Sequence, residues 1–125
     1  MHPADPLLNG IYGTIWFEDL GDAAGQVHQR NVTVFADGEV DRSPCGSGTC
    51  ARLAVLAADG RLPAGTVLRH ESIIGTTFTG TVLDTVDAGG RTAVIPQVTG
   101  TAYRTGEHVF SIDPYDPLVP GFVLR

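Results

Sequence analysis

The chain has 125 residues, of which 42% are hydrophobic and 18% charged, an ordinary composition for one globular domain with a modest core. Its formal net charge of −6 and its pI near 4.9 argue against a nucleic-acid partner, whose phosphates would be repelled. All eight basic residues are arginine, which excludes lysine Schiff-base chemistry, and two cysteines are too few for a disulfide framework.

No stretch of the sequence is apolar over the length of a membrane span. Residues 1–6 have neither the basic region nor the hydrophobic core of a secretory leader. Together with two thiols that are expected to stay reduced, these features predict a cytoplasmic protein without a membrane partner.

The first third of the chain has the alternation of β-strands. Apolar side chains at odd positions predict a strand over residues 9–18, and Asp, Gly and Ala residues predict a turn over 19–25. Alternation resumes over 27–35, which is expected to pair with the first strand. The loop that follows leads into a glycine-rich segment.

Residues 49–59 predict the one helix, which is apolar on every side and therefore expected to be surrounded by other elements. Four more strands are predicted after it, at 66–73, 76–86, 91–98 and 101–112. The predicted architecture is an α+β half-barrel of about six mostly antiparallel strands around one buried helix, with residues 1–125 forming a single domain.

The segment between the second strand and the helix reads DRSPCGSGTCAR and is the strongest chemical signal in the chain. Pro44 stiffens the approach to Cys45, and Gly46 and Gly48 let a ligand come close to the backbone. The amides that follow are expected to be the unpaired donors of a helix N-terminus, which favours a carboxylate or a thiolate. The pattern indicates a reactive thiol beside an anion site, although a small buried cysteine is the commoner role of an unpaired Cys.

The sequence DRSPCGSGT resembles the second-cysteine motif of the proline racemase family, which includes 4-hydroxyproline 2-epimerases. The resemblance covers nearly the whole chain and includes GIYGTI at 10–15 and ESIIGTTF at 71–78. It implies the C-terminal half of such an enzyme, one domain of a diaminopimelate-epimerase-like fold whose two domains face each other across a cleft. The family's N-terminal half, with its cysteine in a Cys-Gly-His context, has no counterpart in this sequence, and the tail 113–125 is expected to pack on it.

The resemblance also implies a chemistry and a set of site residues. The reaction is a cofactor-independent, two-base inversion at Cα of proline or a hydroxyproline, with Cys45 as one acid/base. Asp41 contacts the ring nitrogen of the substrate, Phe35 forms a wall of the pocket, and the amides of Gly46 and Ser47 hold the carboxylate. The bland alternative for Asp41 is a turn or capping carboxylate, and from the pattern alone Phe35 is simply an inward strand residue, a role compatible with the pocket wall.

Alternatives to this site are weaker. Cys50 is interpreted as core packing, and a Cys-x4-Cys pair without clustered histidines matches no zinc spacing, so no metal and no cofactor are predicted. Arg42 is expected to be structural, and His70 and Glu71 receive no catalytic role. The related trans-3-hydroxyproline dehydratases usually have Thr at the position of Cys45, so cysteine favours a racemase or an epimerase.

The absent half bears on activity. We expect the chain to be inactive in inversion without a second polypeptide that supplies the N-terminal half; a homo-oligomer would present two copies of Cys45 instead. The sequence fits an excised domain, one half of a split enzyme, or a truncated remnant. The alternative function is a binding or interaction module without catalytic turnover.

Overall fold

The computed structural model describes residues 5–7 and 10–122, which contain one helix and one sheet. Over the same residues, no helix has the length and apolar character needed to cross a membrane. In chain order the elements are β1 (Gly13–Ala23), β2 (Gln26–Phe35), α1 (Gly46–Ala58), β3 (Val67–Ser72), β4 (Thr77–Asp87) and β5 (Thr92–Thr99).

The strands form one sheet in the order β1-β2-β3-β4-β5. Neighbouring strands are antiparallel except for β2 and β3, which are parallel. A parallel pair needs a crossover connection, and α1 provides it. The loop between β2 and α1 therefore starts at the edge of the sheet where both parallel strands end.

Helix α1 packs on the sheet through Leu53 and Leu56, which are fully buried together with Val27 of β2 and Leu68 of β3. Each fully buried leucine contributes about 2 kcal/mol of hydrophobic stabilisation. The helix can approach β4 closely because residue 80 is glycine: a Cβ there would lie 2.9 Å from Cδ1 of Leu53. Three partly buried side chains complete this core, namely Leu62, Val82 and Val98.

The interior between helix and sheet changes from apolar to polar toward the start of α1. Within the described residues, every buried side-chain nitrogen and oxygen has a hydrogen-bond partner, so this polar region carries no unsatisfied group. Its buried side chains are Gln29, Asn31 and Thr33 of β2, His70 and Ser72 of β3, and Thr49 of α1.

The predicted α+β class is confirmed, with five strands in the described residues rather than six. The strands predicted at 27–35, 66–73, 76–86 and 91–98 all form with small shifts in their ends. The predicted strand at 101–112 is wrong, because this segment is irregular and its side chains are exposed. It has apolar residues at both 109 and 110, and nothing in the described part of the chain covers either of them, so pairing would bury little.

Strand β1 continues to Ala23, through residues that the sequence predicts as a turn. Its register with β2 shifts between Asp19 and Gly21, which accommodates an extra residue in the strand. The chain then reverses at residues 24–25, where Gly25 has a φ of 74°. Pairing along the whole of β2 outweighs the low strand propensity of Asp, Gly and Ala.

Helix α1 starts at Gly46, three residues earlier than predicted, and so includes the glycines of the motif. It is buried on the side that faces the sheet, whereas Ala51 and Val55 on the opposite side are exposed. The prediction of a helix surrounded on all sides therefore holds only for the sheet side. The tail is irregular and exposed through residue 122, so its packing on a second domain stays a prediction; residues 123–125 lie outside the described range.

Candidate active site

Cys45 lies immediately before the first residue of α1, as its N-cap. Its Sγ accepts a hydrogen bond from the backbone N–H of Gly48 at 3.4 Å and lies 3.7 Å from Oγ of Ser47. The φ of Cys45 is 65° and its ψ is 117°, in a region that L-residues avoid. Such a conformation costs about 1–3 kcal/mol and persists only where surrounding contacts enforce it.

Hydrogen bonds along the loop hold this backbone in place. Oδ1 of Asp41 accepts from the N–H of Ser43 at 2.8 Å, and Oγ of Ser43 accepts from the N–H of Cys45 at 3.0 Å. The carbonyl of Cys45 accepts from the N–H of Thr49 at 2.9 Å, which begins the helix. Asp41 therefore has the turn role that the sequence allowed, through one of its two carboxylate oxygens.

Cys45 lines a cavity of about 270 Å³ at the start of the helix. Ser47 and Phe35 line the same cavity, so three of the five predicted site residues are brought together. Cys45 as a residue is only 5% exposed, so ligands reach its thiol through this cavity. The rest of the wall is mainly apolar and consists of Gly10, Ile11, Tyr12, Gly13, Ile15, Thr33, Gly48 and Ala51.

Thr33 and Ile15 are wall residues that the sequence reasoning did not assign to the site. The same period-two alternation that turns Phe35 inward applies to Thr33, two residues earlier on β2. Ile15 pairs directly with Thr33 across the two strands. Strand pairing was therefore the signal that could have identified both.

The first turn of α1 is suited to an anion. Its N-terminal amides include those of Gly46 and Ser47, both exposed, and the turn contains no acidic side chain that would neutralise the helix dipole. Gly46 is not among the residues that line the cavity, but its amide belongs to this same exposed turn. A carboxylate bound here would lie next to the thiol of Cys45.

Asp41 is not among the residues that line the cavity of Cys45. It lines a second cavity of about 660 Å³, together with Arg42 and Ser43 of the loop. The other walls of that cavity come from the turn between β3 and β4 and from the irregular segment after β5. The structure therefore does not bring Asp41 into the pocket of Cys45, and its contact with a substrate nitrogen stays a prediction.

The remaining candidates occupy structural positions. Cys50 is half-buried and lines neither cavity. Arg42 is exposed, and its carbonyl accepts from Oγ1 of Thr76 at 3.3 Å. Glu71 binds His28 and an arginine on the outer face of the sheet, and the hydrogen bond from His28 lowers the pKa of Glu71 below its usual value.

His70 is fully buried behind the loop, between β2 and α1. Burial, together with the positive charge of Arg52, lowers the pKa of His70 to about 4. The ring is therefore neutral at physiological pH. In the described residues, no group of three or more His, Cys, Asp and Glu side chains is arranged to hold a metal ion.

A scan against protein-family models matches residues 1–123 to the proline racemase family. The chain is 47% identical to a trans-3-hydroxy-L-proline dehydratase of Bacillus cereus and 48% identical to a 3-hydroxyproline 2-epimerase of Burkholderia multivorans. These alignments cover 98% and 99% of this chain and 36% of each relative, so the chain spans about a third of their length.

Solved structures give the same result. The chain superposes on a hydroxyproline epimerase from Agrobacterium vitis, crystallised with trans-4-hydroxy-L-proline, with a TM-score of 0.80 and 39% sequence identity. The superposition covers 98% of this chain and 34% of that one. Relatives named for inversion and for dehydration are thus equally similar, and overall identity does not choose between the two reactions.

Proposed function

Since the chain belongs to the proline racemase family, we propose that it forms one side of an active site that inverts Cα of proline or a hydroxyproline without a cofactor. The observation that supports this most is the position of Cys45. Its thiol lines the small cavity beside the unneutralised first turn of α1, where a bound carboxylate would bring Cα close to sulfur.

The amides of Gly46 and Ser47 bind the substrate carboxylate. The thiolate of Cys45 removes the Cα proton, and the electron pair left on Cα delocalises into that carboxylate, where the helix amides stabilise the added charge. The N–H of Gly48, which donates to Sγ, stabilises the thiolate between proton transfers. When the reaction runs in the other direction, Cys45 returns its proton to Cα.

Inversion needs a second acid/base on the opposite face of Cα, because one base tends to return the proton to the face it left. Among the described residues, Cys45 is the one cysteine that lines the cavity. We assign the second group to another segment of a longer chain or to another polypeptide. Without it, the 125 residues do not complete inversion.

Phe35 and Asp41 select the substrate. Phe35 lines the cavity and packs on the apolar edge of the pyrrolidine ring. We assign the ring ammonium to Asp41; because that nitrogen is bonded to Cα, the second carboxylate oxygen of Asp41 must face the pocket of Cys45 when the substrate is bound. Proline carries a secondary ammonium, which binds the acidic side chain, and a carboxylate, which binds the helix amides.

Cys45 favours inversion over dehydration. Loss of water from 3-hydroxyproline needs one base for the Cα proton and an exit for the hydroxyl group, but no proton donor on the opposite face. A thiol at position 45 is such a donor, whereas the dehydratases of this family usually have Thr there. The proposal includes a cytoplasmic location and a reaction that uses no cofactor.

A second candidate function is ligand binding without turnover. It is favoured because the described residues place one cysteine on the cavity. They therefore provide an anion site and a pocket, but no second cysteine that could act as the opposing acid/base. Such a module would bind the same carboxylates and leave their Cα protons in place.

Ligand protection of the thiol tests the proposed site on the chain as it is. In a Cys50→Ser variant, L-proline is expected to slow alkylation of Cys45 by iodoacetamide, because the bound ligand fills the cavity beside Sγ. The matched Cys45→Ser variant, which reports Cys50 alone, is expected to show no protection. Labelling rates are measured by mass spectrometry of the intact chain.

A matched ligand pair tests Asp41. Cyclopentanecarboxylate has the ring and the carboxylate of proline but no ammonium, so the Asp41→Asn substitution is expected to weaken protection by proline and to leave protection by cyclopentanecarboxylate unchanged. If proline protects neither cysteine, or protects Cys50 as well as Cys45, the proposed site is wrong.

A further inference from the structure

We propose that His70 is a positioning residue for the Cys45 thiol, acting through Thr49 and Asn31 on the carbonyl of Pro44. This inference rests on the proposed function, because it assigns to the buried polar side chains behind the loop the role of holding the Cys45 acid/base in position. It concerns a residue that received no catalytic role from its sequence pattern and that lines neither cavity.

Both ring nitrogens of His70 are engaged. Nε2 lies 2.8 Å from Nδ2 of Asn31, and Nδ1 lies 2.9 Å from Oγ1 of Thr49. The same two partner atoms lie 3.1 Å and 3.3 Å from the carbonyl oxygen of Pro44. Side chains from β2 and α1 therefore converge on one peptide group of the loop, and His70 of β3 bridges the two side chains.

The donors and acceptors assign a direction to this network. An amide nitrogen can only donate, so Nε2 of His70 accepts from Asn31 and the ring proton is on Nδ1. Nδ1–H then donates to the oxygen of Thr49, which leaves the Thr49 hydroxyl proton to donate to the Pro44 carbonyl. The second amide hydrogen of Asn31 reaches the same carbonyl, so both of its lone pairs are used.

The orientation of that carbonyl determines the backbone of Cys45, because the carbonyl of Pro44 and the N–H of Cys45 share one rigid peptide plane. The opposite end of this plane donates to Oγ of Ser43. With the plane held on both sides, Cys45 stays at its positive φ, and its sulfur stays within reach of the Gly48 amide.

A second ring proton would destroy the network, since Nε2–H would then face the N–H of Asn31. The surroundings oppose that proton, because the ring is fully buried and Arg52 of α1 places a positive charge nearby. Apolar packing fills the same layer at the other end of α1, around Leu53. The polar end of this layer is therefore suited to holding the loop backbone in one geometry rather than to burying hydrophobic area.

The test compares Thr49→Val with Thr49→Ser and includes His70→Leu, all in a Cys50→Ser background that leaves Cys45 as the one thiol. Valine keeps the shape of threonine and loses the hydroxyl, whereas serine keeps it. The measurement is the rate of Cys45 alkylation as a function of pH, with thermal unfolding of each variant as the check on folding.

Thr49→Val and His70→Leu are each expected to lower the rate of Cys45 alkylation near neutral pH by at least about threefold, because the sulfur loses its fixed position at the Gly48 amide. Thr49→Ser is expected to keep the original rate. Should Thr49→Val not fold, Asn31→Ser removes the other donor to the Pro44 carbonyl and is expected to give the same decrease.

If folded His70→Leu, or the folded variants that lack a donor to this carbonyl, have the original alkylation rate, the positioning role of His70 is refuted and the network only stabilises the fold. This readout does not require turnover or substrate. Failure of the proposed function would instead appear as an absence of ligand protection, with the alkylation profile of the unsubstituted chain unaffected.

Discussion

At Cys45 the backbone conformation favours glycine, whereas the proposed chemistry needs the sulfur of a cysteine. Among the described residues it is the one residue other than glycine with a positive φ, and glycine would adopt that conformation at less cost. Glycine would, however, remove the sulfur that lines the cavity. A strained residue at a candidate acid/base is a common arrangement, in which stability is exchanged for a fixed geometry.

His70 makes the free energy of unfolding depend on pH. Its pKa is about 4 in the folded chain and near 6.5 when unfolded, so between these values the unfolded chain binds the extra proton. Stability is therefore expected to rise with pH across this window, by up to about 1.4 kcal/mol per pH unit and about 3 kcal/mol in all, and to lose this dependence above the unfolded value.

Urea unfolding at a series of pH values between 4.5 and 6.5 measures this slope. A His70→Gln variant that still folds is expected to have a smaller slope, by about one bound proton. Carboxylates such as Glu71, whose pKa is lowered, lose their contribution to the free energy of unfolding mainly below this pH range. They are present in both proteins, so the comparison of the two slopes is unaffected. Equal slopes in the two proteins would contradict the assignment of the buried neutral ring.

At the scale of the element, the two glycines that open α1 have different surroundings. A Cβ at Gly48 would lie 2.2 Å from Cδ1 of Ile15 and 3.1 Å from the sulfur of Cys45. A Cβ at Gly46 would meet nothing within 4 Å. Gly46 is therefore replaceable in the folded chain, whereas a side chain at position 48 would displace Ile15 and crowd the thiol of Cys45.

Gly48→Ala is expected to lower the free energy of unfolding by about 1 kcal/mol or more, because the Ile15 side chain and the thiol must both move. It is also expected to change the alkylation rate of Cys45. Gly46→Ala, the matched control, is expected to leave both unchanged or to stabilise the helix slightly. Chemical unfolding and thiol labelling of the two variants check this, and equal effects would contradict the described packing.

Most elements could be predicted from the sequence because their signals are local. The alternation of β2 and the apolar run of α1 need no knowledge of their neighbours. The length of β1 depends on pairing with β2, which a local pattern does not contain, and so its second half was missed. Residues 101–112 have strand-like composition, but no layer of the described chain covers them, and a local pattern does not contain that information.

At the scale of the whole molecule, the sequence motif led to the pocket but not to all of its parts. Cys45, Ser47 and Phe35 meet because the crossover places the end of β2 beside the start of α1. His70 lies 25 residues after Cys45 in the sequence, and its place behind the loop follows from the parallel pairing of β2 with β3. No spacing rule predicts that pairing.

The chain spans about a third of the length of its relatives, so the central claim is best tested within a full-length relative. The matching region of the Burkholderia multivorans 3-hydroxyproline 2-epimerase is replaced by these 125 residues, which are 48% identical to it. Two further chimeras contain Cys45→Ser and the matched control Cys50→Ser. Each is incubated in D2O with L-proline, D-proline, trans-4-hydroxy-L-proline and 3-hydroxyproline.

Proton NMR then measures Cα–H exchange and inversion. The first chimera is expected to invert at least one of these substrates. Cys45→Ser is expected to lower the rate of inversion by about 10²- to 10⁴-fold, whereas Cys50→Ser is expected to leave the rate near its original value. Inversion that persists in the Cys45→Ser chimera, or a folded chimera that exchanges no Cα proton, would contradict the assignment of Cys45 as an acid/base of this family's reaction.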